Sequence, residues 1–521
     1  MLNSSMSQRF CTTTTEADTS EDQRHRLNVV VIGGGPVGLM FACSLAELMP
    51  GHARIQVFDR RWRRSSSGID WQPGIQRRQQ VVTLQSHDFS QLPSGLMQAV
   101  FETTYAEVWP LGPGSVQGLY PRNLRIAQLE DQLLQHTRKF AEIVLHASPG
   151  DVPQALGQTP VLVIADGAHS STREELHSHF GMAEESLYRL ADERVEEICL
   201  GLAIRTSLSD AAAVVLSASQ RRLLLNPLHS EGHLNIRLTA AEASGLLHAL
   251  KLLPGVGGAD TPRRINLSEL QSTDLWPRLE EELSLFAVDT SRIRSCNWFR
   301  LGMAHQPRFV APLLEANPAQ WRTYGCLIGD AATALHIWPG RGINAGVVAA
   351  VSLARCLARQ WPAAAGRPGG FRDADFTRHE GVMQMLQYRH KSRAWRAMVS
   401  PDGAGGMEPI QSRLARSLAE PVDSDTAASD REIFRQTVHQ VHGRLAARLP
   451  RPAYPCELEQ VLARLSARTL HTLVASGAWD GQLMGGEEVD LDWLLPSTPT
   501  RSPSTLLGAT QGSTPHGADR R

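Results

Sequence analysis

Gly33, Gly35 and Gly38 stand at the three glycine positions of a G-x-G-x-x-G turn. Such a turn serves phosphate chemistry. Gly33 permits a tight bend, Gly35 lets backbone approach a pyrophosphate, and Gly38 allows close packing of a helix on a strand. Pro36 opens the following helix, whose first N–H groups point at the anion. Twenty-one residues past Gly38, Asp59 ends a second strand, where a carboxylate accepts hydrogen bonds from a ribose diol. Glycines alone make only a turn. With a strand before, a helix after and an acid at this distance, they make a dinucleotide site.

Two later motifs extend that chemistry. The apolar run from Val161 ends in Asp166-Gly167 and continues through small polar residues to Arg173. Further on, Leu327-Ile328-Gly329-Asp330 precedes Pro339-Gly340-Arg341-Gly342-Ile343-Asn344 and a helix. Asp330, at a strand end, is placed to hydrogen-bond a chain of hydroxyls. The Gly340/Gly342 turn lets the next helix aim its N–H groups at a ring edge that gains negative charge on reduction.

The elements that must position these residues are legible from periodicity. Leu27 to Ile32 reads as a strand, Pro36 to Met49 as a helix and Arg54 to Asp59 as a strand, a unit that opens a parallel sheet. Between Val195 and Leu238 the pattern turns antiparallel, with strands expected at Ile198 to Ile204, Ala213 to Leu216 and Leu234 to Leu238. A helix is expected from Ala240 to Leu252. Strand Gly325 to Gly329 and helix Ile343 to Arg359 restore α/β character, and beyond Phe371 the chain is mainly helical. The expected fold is α/β. A Rossmann-like dinucleotide domain (27–180 and 301–370) is interrupted by a mixed or antiparallel substrate domain (181–300) and followed by a helical region (371–495). Residues 1–26 and 496–521 are polar, without apolar periodicity, and are expected to be disordered.

Composition narrows the function classes. The 521 residues carry a net charge of −1, with 42% hydrophobic and 20% charged residues, as in an ordinary globular enzyme. No overall field favours nucleic acid or an anionic membrane. The 7 cysteines are scattered and form no C-x-x-C, which suits a reducing compartment rather than a disulfide framework or a zinc site. No apolar run approaches the roughly 20 residues of a membrane span, and the N-terminus lacks the apolar centre of a secretory signal. A cytoplasmic location is expected. The histidines His169, His177, His179, His229 and His233 form no convergent ligand set, so no metal is expected and they are read as surface residues.

In this order and spacing the three motifs resemble the class A flavoprotein monooxygenases, the family of para-hydroxybenzoate hydroxylase, over about residues 28–395. The resemblance implies FAD as cofactor, NAD(P)H as co-substrate and O2 as oxidant. It implies insertion of one oxygen atom, through a flavin C4a-hydroperoxide, into a small organic, aromatic or heterocyclic substrate. By it Asp59 holds the adenosine ribose, Asp166 and Gly167 handle FAD and NAD(P)H, and Gly329 and Asp330 bind the ribityl chain. Gly340, Gly342, Ile343 and Asn344 then face the flavin ring. The segment Gln76 to Leu84 resembles the one that brings an arginine to the FAD phosphates, with Arg78 favoured. Arg122 to Glu130 resembles a helix start that contributes Arg125 or Gln128. Arg60 heads an arginine run (Arg61, Arg63 and Arg64 follow) that could dock the NAD(P)H phosphates.

The chain also departs from that family. Ile337 replaces a proline usual beside the flavin, and Pro339 comes two positions later. The Trp338-Pro339 pair, with the arginine-rich segment before Val81, is similar to the monooxygenase domain of the MICAL proteins, without their actin-binding or zinc-finger modules. His336 and Trp338 are the catalytic candidates. The indole would wall the pocket against water, and the imidazole, with an ordinary pKa near ~6.5, would exchange protons. The short stretch between Val144 and Val161 suggests a trimmed β-meander. No second G-x-G-x-x-G follows a strand, as expected for transient nicotinamide binding. The alternatives are a Baeyer–Villiger oxygenation, an FAD-dependent reductase or dehydrogenase, and a flavin-binding sensor. A halogenase is disfavoured by the missing W-x-W-x-I-P.

Overall fold

A computed structural model describes residues 26–476, except 67, 76, 102–108, 111–120, 148–158, 183, 186–188, 191–192, 195–196, 210–211, 214–215, 218–221, 227–229, 251–262, 302–303, 315–320, 334–339 and 446–454. His336, Trp338, both polar tails and the stretch expected to lack a meander lie largely or wholly outside the described residues.

The chain opens with β1 (Leu27–Ile32), α1 (Pro36–Leu48) and β2 (Ala53–Phe58). It continues through β3 (Val81–Leu84), α2 (Ser86–Phe89), β4 (Arg122–Arg125), α3 (Ile126–Thr137), β5 (Ile143–His146) and β6 (Val161–Ile164). All four residues of β6 are buried, as expected of a central parallel strand covered on both faces. Next come β7 (Glu197–Arg205), β8 (Arg222–Asn226), β9 (Glu231–Arg237), β10 (Arg263–Ile265) and β11 (Ile293–Leu301). Strands β12 (Val310–Leu314) and β13 (Thr323–Leu327) then precede helices α4 (Gly342–Ala365) and α5 (Asp373–Met398). Helices α6 (Ser424–Leu445), α7 (Pro455–Arg464) and α8 (Ala467–Ala475) close the described chain.

Two large sheets organise most of these elements, while β3 and β4 pair antiparallel in a smaller one. The first has six strands in the order β12-β13-β6-β1-β2-β5, with β12 antiparallel at one edge and the rest parallel. The second is antiparallel, in the order β8-β9-β7-β11-β10. Each large sheet has its own apolar core. Helix α5 adds Phe376, Val382, Met383 and Leu386 to the first. Helices α6 to α8 add Phe434, Val438, Leu458, Val461, Leu462, Leu470 and Leu473 to the second. At roughly 1.5–3 kcal/mol for each fully buried large apolar side chain, the chain beyond Phe371 contributes to both cores. Helix α4 crosses α1 closely because Gly346 has no side chain; a Cβ there would lie 2.4 Å from Val37 Cγ2.

Three expectations are corrected. Ala213 and Leu216, expected in a strand, are helical with Ala212, and the Ala213 N–H donates to Ser209 O while the Ser209 hydroxyl accepts from the Ala212 N–H. A local side-chain cap outweighs β-propensity there. Second, α4 is long and apolar enough by composition to cross a membrane, although most of its apolar stretch is buried inside the protein. Third, His233 is buried, at 6% exposure, and not on the surface.

Candidate functional site

The three glycine- and aspartate-bearing motifs follow the C-terminal ends of β1, β6 and β13, which are neighbours in the parallel sheet. Crevices at such strand ends are where open α/β sheets take ligands. Two glycines make the convergence possible. Gly33 has φ of +109°, and a Cβ on it would lie 2.3 Å from Ala165 O; a Cβ on Gly38 would lie 2.0 Å from Gly33 O. Larger residues would force the first and second motifs apart.

Three other glycines, one from each motif, border open space. The nearest heavy atom to a Cβ on Gly35 is Arg61 Nη2 at 3.8 Å, on Gly167 it is Arg78 Nη2 at 3.6 Å, and on Gly342 it is Asp330 Oδ1 at 3.9 Å. The neighbours are thus the tips of charged side chains. Arg78 and Asp330 approach to 3.8 Å. Helix α1 has Gly35 at its N-cap and no side-chain cap, and α4 likewise begins without one. Both helices therefore leave first-turn N–H groups for an anion or an electron-rich ring edge.

Asp59 is buried and already organised. Its Oδ2 accepts from the Gly34 N–H at 2.8 Å, and its Oδ1 accepts from the Arg61 N–H at 2.8 Å. The Arg61 guanidinium pairs with Asp59 and with the fully buried Glu130, each at 2.8 Å. Arg77 reaches Glu130 at 3.3 Å and Asp131 at 2.6 Å. Trp71 lies under both guanidiniums, 5.0 Å from Arg61 and 4.1 Å from Arg77. Burial alone would lower the pKa of Arg61, but Asp59 and Glu130 outweigh it and raise it. Arg60, by contrast, is exposed, and its carbonyl accepts from Gln72.

In the second motif the Thr172 hydroxyl donates to Asp166 Oδ2 at 3.0 Å, while Asp166 Oδ1 is buried with no hydrogen bond among the described residues. Arg173 donates to Ala331 O at 3.0 Å and to Ala168 O at 3.1 Å, which joins the second motif to the third. Arg125 and Gln128 have local partners. Gln128 Oε1 accepts from the Arg125 N–H at 3.3 Å as part of a capping box, and the Arg125 guanidinium lies 3.1 Å from Glu231 of β9.

Asn344 is fully buried and spends its amide on the chain. Its Oδ1 accepts from the Gln85 N–H at 2.9 Å and its Nδ2 donates to Thr83 O at 3.0 Å. Ile343 packs against the first core. Arg341, next to Gly340 and Gly342, is buried 3.7 Å from Asp88 of α2. The path continues beyond Asn344: the Thr83 hydroxyl donates to Asn123 Oδ1 at 2.7 Å, and Asn123 Nδ2 donates to Leu225 O at 3.0 Å. A chain of side-chain amides and a hydroxyl thus links the first turn of α4 to the second sheet.

Sequence reasoning gave no role to Glu130, Trp71, Thr83 or Asn123, and it set Arg61 only in the arginine run and Arg77 behind Arg78. Arg61 carries a local signal, two residues past Asp59 on the same strand end. Nothing in spacing could have paired Thr83 with Asn123 or Leu225.

No family model and no curated protein matches the chain. Among solved structures it is similar to the p-nitrophenol 4-monooxygenase PnpA from Pseudomonas putida, at 14% identity and a TM-score of 0.45, covering 86% of this chain and 98% of that one. It is similar to the flavin-dependent monooxygenase PieE in complex with FAD and substrate, at 14% identity and a TM-score of 0.47, over 81% of this chain and 72% of that one. It is also similar to the Diels-Alderase PyrE3 of pyrroindomycin biosynthesis, at 15% identity and a TM-score of 0.44, over 87% and 81% of the two chains.

Proposed function

We propose that this chain is an FAD-dependent monooxygenase that takes reducing equivalents from NAD(P)H and inserts one atom of O2 into a small organic substrate. The observation that carries the reading is the meeting of three motifs at adjacent strand ends, with Gly35, Gly167 and Gly342 bordering open space edged by Arg61, Arg78 and Asp330. The residues fit a flavin dinucleotide. The backbone cradle at Gly33 to Gly38, with Arg78, would take the pyrophosphate, and Asp59 the adenosine ribose. Asp330 would take the ribityl hydroxyls, and the uncapped start of α4 the pyrimidine edge. When bound, FAD supplies the redox chemistry, accepting a hydride from NAD(P)H and passing electrons to O2.

The chain's own contribution is position, electrostatics and exclusion of water. The N–H groups at Gly342 and Ile343 oppose negative charge on a reduced ring. Asn344 holds that turn at a set distance from β3 through Gln85 and Thr83. In the same reading Trp338 walls the pocket and His336 exchanges protons with the substrate. Trp338→Ala would then divert NAD(P)H oxidation into hydrogen peroxide release, and His336→Ala would depress product formation in a pH-dependent way.

The experiment is purification followed by product analysis under 18-O-labelled oxygen with NADH and with NADPH. The protein should be yellow, release FAD on heating and consume O2 in step with a labelled product. A colourless protein that cannot be reconstituted with FAD would sink the reading. A yellow protein whose product forms without O2 would leave a dehydrogenase.

A further inference from the structure

The antiparallel sheet has two unlike faces. One carries Leu200, Leu202, Leu234 and Ile236 into the second core. Side chains alternate along a strand, so the other face carries Gly201 and Ala203 of β7 with His233, Asn235 and Arg237 of β9. The register sets Gly201 opposite Asn235 and Ala203 opposite His233. His233 and Asn235 are each 6% exposed, and Arg237 is 2% exposed.

This buried polar row is unevenly satisfied. Arg237 Nε lies 3.1 Å from the fully buried Glu197, and Arg237 Nη2 donates to Ala397 O of α5, so its charge is met. His233 and Asn235 make no side-chain hydrogen bond or ion pair among the described residues, and His233 Nδ1 is sealed from solvent. A glycine makes room beneath them. A Cβ on Gly201 would lie 2.9 Å from His233 Nε2 and 3.0 Å from Phe299 Cε1. Leaving the sealed His233 Nδ1 without a partner costs free energy that a bound ligand would offset, whereas the Asn235 amide beside it keeps some solvent contact.

The row also lies beside the candidate cleft. Leu224, the partner of His233 on β8, precedes Leu225, whose carbonyl ends the path from Asn344 through Thr83 and Asn123. Glu231, at the start of β9, pairs with Arg125.

We infer that His233 and Asn235 form a substrate-recognition pair for a small neutral ligand that presents a hydrogen-bond donor beside an acceptor, as an amide, lactam or phenol edge does. A neutral imidazole offers one N–H and one lone pair, and the asparagine amide offers both functions. Burial keeps that imidazole neutral, with its pKa lowered to about 4. Arg237 is committed to Glu197, and Arg125, Arg205 and Arg294 all gather on Glu231 at the start of β9, so an anion would have to compete with these carboxylates for its cations. Arg222 shares the face, opposite Asn235, and its side chain is outside the described residues; the carboxylate arm of the experiment tests it. Binding by the pair rests on the sheet. Only the fate of the bound ligand rests on the flavin reading.

The test is a ligand-observed NMR titration of the FAD-loaded full chain with matched probes: benzamide against benzoate, and indole-3-carboxamide against indole-3-carboxylate. The amides should bind at least about tenfold more tightly, and His233→Leu and Asn235→Leu should each weaken them about tenfold at unchanged FAD content. His233→Gln, which keeps a donor and an acceptor, should restore most of the binding. Without ligand His233→Leu should raise Tm, because a buried ring nitrogen without a partner is removed, whereas a purely structural role would lower it. Tighter carboxylate binding, no binding of any probe, or leucine variants that bind like wild type would overturn the inference. Amide binding with these sensitivities in a chain that holds no FAD would sustain it and sink the flavin reading instead.

Discussion

Arg78 Nη1 lies 3.8 Å from Asp330 Oδ2, which brings the segment before β3 to the strand end of the third motif. Both side chains are partly exposed, so their mutual attraction is screened and contributes little to stability. Their value is for a ligand. Asp330→Ala should weaken FAD binding by about tenfold to a hundredfold, since a hydrogen bond to a charged acceptor is worth roughly 1.5–3 kcal/mol. Arg78→Ala should also weaken it, and neither should move the urea midpoint of the apoprotein. Fluorescence titration of FAD and urea unfolding check both halves. A lower midpoint with normal FAD affinity would make the pair structural.

Asn344 should behave in the opposite way. Asn344→Ala strips partners from the Gln85 N–H and the Thr83 carbonyl, at roughly 1–3 kcal/mol for each buried group left unsatisfied. Apoprotein stability should fall by about 2–6 kcal/mol on that basis. Asn344→Asp keeps the acceptor for Gln85 but sets a carboxylate against the Thr83 carbonyl, so it should not recover the loss. An alanine variant as stable as wild type would mean that Asn344 acts on the cofactor alone.

Arg61 and Arg60 are adjacent and should separate cleanly. Arg61→Ala leaves Glu130, fully buried, with Arg77 as its remaining ion pair among the described residues, and removes the cation from Asp59. Breaking a buried pair on one side costs roughly 3 kcal/mol or more. Arg60→Ala, at an exposed position, should leave stability unchanged and, if the arginine run docks NAD(P)H phosphates, raise the KM for the nicotinamide. Equal thermal melts for the two variants would contradict the geometry.

Acid should destabilise the fold through two buried histidines. Burial lowers His233 to about 4 and His379 to about 3 from an ordinary 6.5; His379 Nδ1 keeps a 2.8 Å contact with Ser352 Oγ. Below pH 6.5 the unfolded chain takes up protons that the native state refuses. This contribution is therefore complete above about 6.5 and is lost progressively as pH falls towards the folded values. The slope is about 1.4 kcal/mol per pH unit for each histidine. Urea midpoints between pH 6.5 and 5, compared with those of His233→Gln and His379→Gln, measure it. Variants with the wild-type slope would show that neither imidazole titrates on unfolding.

What the sequence determined by itself were features dictated by backbone geometry and periodicity. Gly33 and Gly38 were identifiable because only glycine fits their φ or their close approach, and Asp59, Asp166 and Asp330 because each follows an apolar strand. The parallel strands β1 and β6 could be read because apolar runs bounded by turns have few alternatives, and β2 because Ile55, Val57 and Phe58 alternate with Arg54 and Gln56. The tertiary structure alone decided the partners. Asn344 read as a flavin contact, yet its amide is held by Gln85 and Thr83; Gln128 read as a cofactor ligand, yet it closes its own helix cap. His233 read as a surface residue because periodicity does not say that a sheet has a second covered face. Nor could spacing show that α5 joins one core and α6 to α8 the other. The physical reason is common to all of these: a dihedral constraint or a hydrophobic period is local and written in consecutive residues, whereas a hydrogen-bond partner is chosen by whichever element packing brings within 3 Å.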